Sequence, residues 1–440
     1  MGRFNNTGVA PDVPQNARPV AGPLQPLRPT ESDPSLLQRV GFAVLCIFSI
    51  SGYLNEFAVR LFHVKAYIST VSWALLPVLL LLSGNMFRGF RDVTGRLWAL
   101  FLAWILLATP FSVWRGGSVA MLLDYVPHGW IQFYYFTTFV LSTKHLRRLM
   151  FFLIASNFLL LVDCAWAGLM QTGRLEIPDS MFFRNSNDLS LQLLVAITQF
   201  AYLLFERGMW KRITGAAAML TAVVFLFKTG ARGASVALVA LTLASLLMSR
   251  HRIRFALFAA AVSCGAVLIA PASVFHRISL IALEPESIVA TDVSDEQAVG
   301  SQIQRMALLR QSVIYALTNP LVGVGPGQFA AAAARDLAEE GKQAPWVGTH
   351  NSYTQVASEC GIPAFLLYSS VIFLALCSNL RVYRHASPSD DAAGALAFCL
   401  FGSALAYATC TLFFHLAYSS YLPAIAGMSV ALRLANRRLA

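Results

Sequence analysis

The chain has 440 residues, is 57% hydrophobic and only 12% charged, and has a mean hydropathy of +0.60. A soluble domain carries about 25% charged residues, so this composition excludes a soluble globular protein. The net charge of +11 reads as membrane topology rather than nucleic-acid binding, because the basic residues fall in short loops between apolar runs. Residues 1–35 come first and differ from the rest. Seven prolines from Pro11 to Pro34 punctuate a polar segment without periodicity. It is expected to be a disordered cytoplasmic tail, and it has no apolar h-region of a cleaved signal peptide. Twelve apolar runs follow, at 37–54, 66–84, 97–113, 119–141, 149–171, 189–206, 212–228, 234–249, 255–273, 352–378, 392–414 and 417–434. Each is long enough to cross about 30 Å of hydrocarbon. Backbone groups in lipid must be satisfied within the segment, so the fold class is an all-α polytopic membrane protein.

Orientation follows from Lys and Arg. Arg88, Arg91 and Arg96, then Lys144, Arg147 and Arg148, then Arg207, Lys211 and Arg212, then Arg250, Arg252 and Arg254, then Arg381 and Arg384 occupy alternate loops. The positive-inside rule makes those loops, and both termini, cytoplasmic. The opposite side holds a smaller set, including Arg174, Arg184, Arg232, Arg305 and Arg310. It also holds one large loop, residues 274–350, where chemistry is expected. Within it, Ser301 to Leu317 has helical apolar spacing and Phe329 to Gly341 reads as a second short helix. Gly323-Val324-Gly325-Pro326-Gly327 is read as a tight turn, since no strand precedes it and no Lys follows it, as a phosphate loop requires.

The seven cysteines are scattered, form no CxxC pair and are read as small apolar packers. No metal-ligand spacing and no cofactor motif stands out. His350 closes the large loop just before an apolar run, and a His suits general-base work near neutral pH. Arg232 lies between flanking glycines at membrane depth, either an interfacial anchor or an anion site. Arg305 and Arg310 share one helix and bind either lipid headgroups or a phosphate ligand, because guanidinium forks hold phosphate oxygens bidentately. Asp124 and His128 stand one helical turn apart, a buried hydrogen-bonded couple or a proton relay. Asp163 is either the partner of a neighbouring Arg or part of a polar cavity.

These residues resemble the O-antigen ligase family, whose members share a domain with O-antigen polymerases. The family pattern is His, then Asn, Ser or Gln, nine residues, Gly, two residues, and Gly, Thr or Tyr. Here His350 and Asn351 are followed after nine residues by Gly361, while Ala364 departs from the last position. Pro110-Phe111-Ser112-Val113-Trp114, Asn185-Ser186-Asn187-Asp188-Leu189, Thr229-Gly230-Ala231-Arg232-Gly233 and Asn319-Pro320-Leu321-Val322-Gly323-Val324-Gly325 are similar to family stretches in the same order. The resemblance spans about residues 100 to 425. It implies a fold similar to GT-C-like glycosyltransferases and a metal-independent, inverting transfer of a glycan from undecaprenyl diphosphate to an acceptor hydroxyl. The reaction is placed on the outward face of the bacterial inner membrane. By the same resemblance His350 matches the base, Arg232 and Arg305 match the arginines that engage the diphosphate, and Arg310, Asn351, Arg184, Asp124 and His128 are supporting candidates. A lipid A core, a growing polysaccharide or a protein remain alternative acceptors. A lipid-linked glycan transporter using Asp124, His128 and Asp163 is the alternative from another class, against which the missing repeats and the large loop argue.

Overall fold

A computed structural model of the chain describes Gly2 and residues 34–171, 174–178, 180, 183, 185–248, 253, 293–342, 346–386 and 391–436. The expected tail before Pro34, the apolar run 255–273 and Arg184 lie outside the described residues, as does the start of the large loop up to 292. The helices are α1 (Leu36–Phe62), α2 (Ile68–Leu82), α3 (Val93–Ala108), α4 (Arg115–Tyr125), α5 (Gln132–Phe139), α6 (Thr143–Trp166), α7 (Ser186–Phe205), α8 (Met209–Lys228) and α9 (Arg232–Met248). They continue as α10 (Val293–Thr318), α11 (Phe329–Glu339), α12 (Ser352–His385), α13 (Asp391–Cys410) and α14 (Tyr421–Ala435). Ser35, expected at the end of the tail, is instead the N-cap of α1 in a capping box with Gln38.

Among the described residues seven helices are long and apolar enough to cross a membrane: α1, α3 with its following turn, α6, α7, α8, α12 and α13. The apolar helices α2, α9 and α14 are shorter. The run 119–141, expected to be one span, is two helices. A π-turn over Val126–Trp130 separates α4 from α5, and Pro127 lies in it, where a ring in place of an N–H cannot continue an α-helical ladder. The run 149–171 also ends early. After α6 a two-stranded antiparallel hairpin pairs β1 (Leu169–Gln171) with β2 (Arg174–Glu176).

Burial separates the centre from the rim. In α7 and α13 78% of the apolar window is buried, against 28% in α8, so the first two form the axis of the bundle. Exposed Val71, Leu75, Val78, Leu81 and Leu82 give α2 an apolar outer face suited to lipid. With apolar surface on both sides, buried hydrogen bonds fix which helices pair. Thr198 and Ser403 join α7 to α13 at 2.6 Å, Asn379 donates to Ser429 between α12 and α14 at 2.8 Å, and Tyr368 meets Tyr407 between α12 and α13 at 2.8 Å.

Helix α12 is broken at Gly361, which has φ +81° and is followed by Pro363. The break frees carbonyls, and the 320–325 loop together with Trp104 of α3 satisfies them. Val324 N donates to Ser358 O at 2.8 Å, Gly325 N to Glu359 O at 2.9 Å, and Trp104 Nε1 to Cys360 O at 3.0 Å. Ile362 N returns a bond to Pro320 O at 2.7 Å. A Cβ on Gly361 would lie 2.1 Å from Leu321 O, and one on Gly323 would lie 2.3 Å from the Glu359 carbonyl carbon. These glycines exist because two backbones meet there. The tight turn expected at Gly323–Gly327 is thus a plug for a broken helix.

Candidate functional site

His350 sits in the left-handed region, φ +53°, immediately before α12. That conformation costs a residue with a Cβ about 1–2 kcal/mol, and such strain clusters at functional sites. The surrounding backbone holds it. Ser352 N donates to Thr411 O at 2.8 Å, Ser352 Oγ donates to Phe414 O at 2.7 Å, and Leu416 N donates to Ser352 Oγ at 2.8 Å. The start of α12 is therefore stitched to the segment between α13 and α14. That stitching presents His415 edge-on to His350, with ring centroids 5.1 Å apart. Burial, then the His415 ring, then the Arg305 charge lower the His350 pKa from 6.5 to about 4.

Arg305 arrives on α10. Its Nε is buried without a hydrogen-bond partner. Burial and the neighbouring Arg232 charge both hold its guanidinium below the ordinary value. Arg232 is the first residue of α9, after a turn in which Gly230 takes φ +60°. Arg174 Nε donates to Thr229 O at 2.9 Å and a second Arg174 nitrogen donates to Asn187 Oδ1 at 2.8 Å, tying that turn to the start of α7. Gly233 abuts Phe413, where a Cβ would come within 2.6 Å. The 411–416 segment thus touches both the start of α9 and the start of α12. Residues 118 positions apart in sequence are brought to one place, with two like charges beside a neutral imidazole. Two like charges so placed favour an anion with several oxygens.

The remaining candidates fall elsewhere or serve otherwise. Arg310 is exposed, five residues along α10 from Arg305. Asn351 is a helix cap, accepting from Tyr353 N at 2.9 Å and Thr354 N at 3.0 Å and donating to Leu412 O at 3.1 Å. Asn351→Ala should therefore cost about 1 kcal/mol of stability, seen as a lower Tm in detergent. Asn351→Asp, which keeps the cap, should restore most of it. Equal Tm values for all three would contradict the capping role. Asp124 and His128 pair at 3.2 Å, but they are exposed, so the expected buried couple is corrected. His128 lies in the π-turn, and its ring stacks on Trp73 with centroids 4.9 Å apart. Asp163 has an arginine partner: Arg60 hydrogen-bonds it and also reaches Glu56 at 2.8 Å.

The sequence reading passed over His415. Its signal was of the same kind as that of His350, a titratable residue between two apolar runs at Phe413-Phe414-His415-Leu416. It also passed over Glu359, a buried carboxylate inside an apolar helix. That carboxylate accepts from Gly327 N at 3.0 Å and Phe329 N at 3.3 Å, and so anchors the start of α11.

A family model described as O-antigen ligase matches residues 217–369, the stretch that runs from α8 through Arg232, Arg305 and His350 to the broken helix α12. A comparison with curated proteins found no match.

Proposed function

From the match of residues 217–369 to the O-antigen ligase family model, we propose that this chain transfers a glycan from undecaprenyl diphosphate to an acceptor hydroxyl, with the lipid A core as acceptor. The family supports ligase- or polymerase-type action on lipid-linked glycans, and the apolar helices support a multi-pass membrane protein. The observation that carries the finer reading is Arg305. A half-buried arginine whose Nε is buried without a partner, beside a second arginine, is costly unless an anion joins it.

In this mechanism the acceptor oxygen attacks the anomeric carbon from the face opposite the diphosphate. The new C–O bond forms as the C–O bond to the diphosphate breaks, and the electron pair leaves with the diphosphate. Arg232 and Arg305 receive that developing charge. The acceptor proton passes to the neutral His350 imidazole. One displacement inverts the anomeric configuration. The bilayer holds the lipid donor at a fixed depth, so much of the catalysis is positioning. The pairing of Asp163 with Arg60, and the separate exposed pair of Asp124 and His128, favour the transfer reading over a transporter that would use all three.

The test is purified protein in proteoliposomes with an undecaprenyl-diphosphate glycan and a panel of lipid A core, polysaccharide and peptide acceptors. Transfer to the core alone supports ligation; transfer only to a polysaccharide or a peptide moves the reading to a polymerase or a protein glycosyltransferase. No transfer to any acceptor overturns it.

The pH dependence has a defined sign. His350 is neutral in the free protein down to about pH 4. The acid limb of kcat/KM, which reports the free enzyme, should lie near that value. Bound diphosphate offsets the arginine charge, so the acid limb of kcat should lie at higher pH. An unfolded His protonates first as pH falls below its ordinary 6.5, so this group's contribution to stability is lost between 6.5 and about 4. A kcat/KM limb at 6.5 would contradict the burial of His350.

A further inference from the structure

Across His415 from His350 lies a cavity of about 680 Å3 with a different character from the arginine pair. Among the described residues that line it, none is Lys or Arg. Amides and hydroxyls make up most of its polar wall. Gln192 Nε2 donates to Asn157 Oδ1 at 2.8 Å, and Asn157 Nδ2 donates to Gln199 Oε1 at 2.6 Å. This chain of three amides leaves Gln199 with N–H donors at one end and Gln192 with a carbonyl acceptor at the other. An alcohol hydroxyl both donates and accepts, so it complements such a wall. Aromatic rings, among them Tyr53, Phe183 and Tyr421, supply apolar faces. The cavity runs from the exposed Asp124–His128 pair to the buried Asn157 and Gln199. His415 is part of its wall and stands edge-on to His350.

Resting on the transfer reading above, we propose that this cavity is the acceptor site and binds an uncharged, hydroxyl-rich sugar. Neutral amides and hydroxyls, with no Lys or Arg among the described lining residues, give a phosphorylated ligand no charge partner, while the two arginines attract one. The two substrates are thereby sorted by charge. They meet where His415 borders His350, which is where the acceptor loses its proton. His415 is a positioning residue in this arrangement, fixing the ring through which the acceptor side reaches the base.

The test uses the full chain in proteoliposomes with an undecaprenyl-diphosphate glycan as donor. Its acceptor probes are a lipid ending in a neutral hexose and the same lipid bearing a phosphate on that hexose. Gln199→Met and Gln192→Met keep side-chain size and remove hydrogen-bonding groups. Each is expected to raise the KM of the neutral acceptor about tenfold, the worth of one to two hydrogen bonds, with donor KM changed less than twofold. The unchanged donor KM also shows that the variants are folded. The phosphorylated acceptor is expected to be at least tenfold poorer than the neutral one with the wild type. A wild type that transfers nothing would defeat the transfer reading. A wild type that transfers, with variants whose acceptor KM stays within twofold or whose donor KM rises instead, would overturn the cavity assignment alone.

Discussion

His350→Ala should lower glycan transfer by about 10²–10⁴-fold, the usual contribution of a positioned general base, while leaving donor binding within a few-fold of wild type. The ring is placed rather than merely present. It is held in a left-handed backbone conformation by bonds between the start of α12 and the 411–416 segment, and it faces His415 at 5.1 Å. Burial keeps it neutral, so no competing proton must leave before it accepts one. In the proposed mechanism the arginines hold the donor's diphosphate, and the substitution does not touch them. His350→Ala should also leave the cap at Asn351 intact, so the Tm should move little. Transfer and donor crosslinking measured on the same membrane preparation decide this. Wild-type rates in His350→Ala would remove the base assignment.

The second large effect is expected at Arg305. Arg305→Ala should raise the donor KM about 10–150-fold, corresponding to one charge-assisted hydrogen bond of about 1.5–3 kcal/mol. Arg305→Lys should fall between Ala and wild type, because it keeps the charge and loses the fork. Stability is expected to move the other way. The free protein buries the Arg305 Nε without a partner and sets its charge against Arg232. Removing it relieves that cost, so the Tm of Arg305→Ala should be unchanged or higher. Arg305 also helps depress His350, so the acid limb of kcat/KM should shift to higher pH in Arg305→Ala. A fall in Tm with donor KM unchanged would mark Arg305 as a structural residue.

Much of the architecture was legible because lipid leaves the backbone few choices. Eleven of the twelve apolar runs fall on described helices, although seven of those helices meet the length and composition for a span. The break at Pro127 was hidden because hydropathy does not register a π-turn inside an apolar run. Asp124 and His128 were misjudged for the same reason: an i, i+4 pair was assumed to ride on a straight helix within a span. Gly361 was visible as a motif position, but its cause was not. Only the structure places its α-carbon against Leu321 O, in a break that the Gly323–Gly325 loop fills. The 411–416 segment ties the start of α12, beside His350, to the start of α9, where Arg232 lies, and no spacing in the chain encodes those long-range contacts. His415 was missed because no motif points to it.

The most direct test of the account is a single-turnover reaction of the purified wild-type protein with an undecaprenyl-diphosphate glycan and a lipid A core acceptor, followed by the anomeric configuration of the product. One glycan joined to the core with inverted configuration, and one undecaprenyl diphosphate released per turnover, is the result expected of a neutral His350 acting with two arginines. A product of retained configuration, or a donor that binds and is never transferred to any hydroxyl, would contradict it.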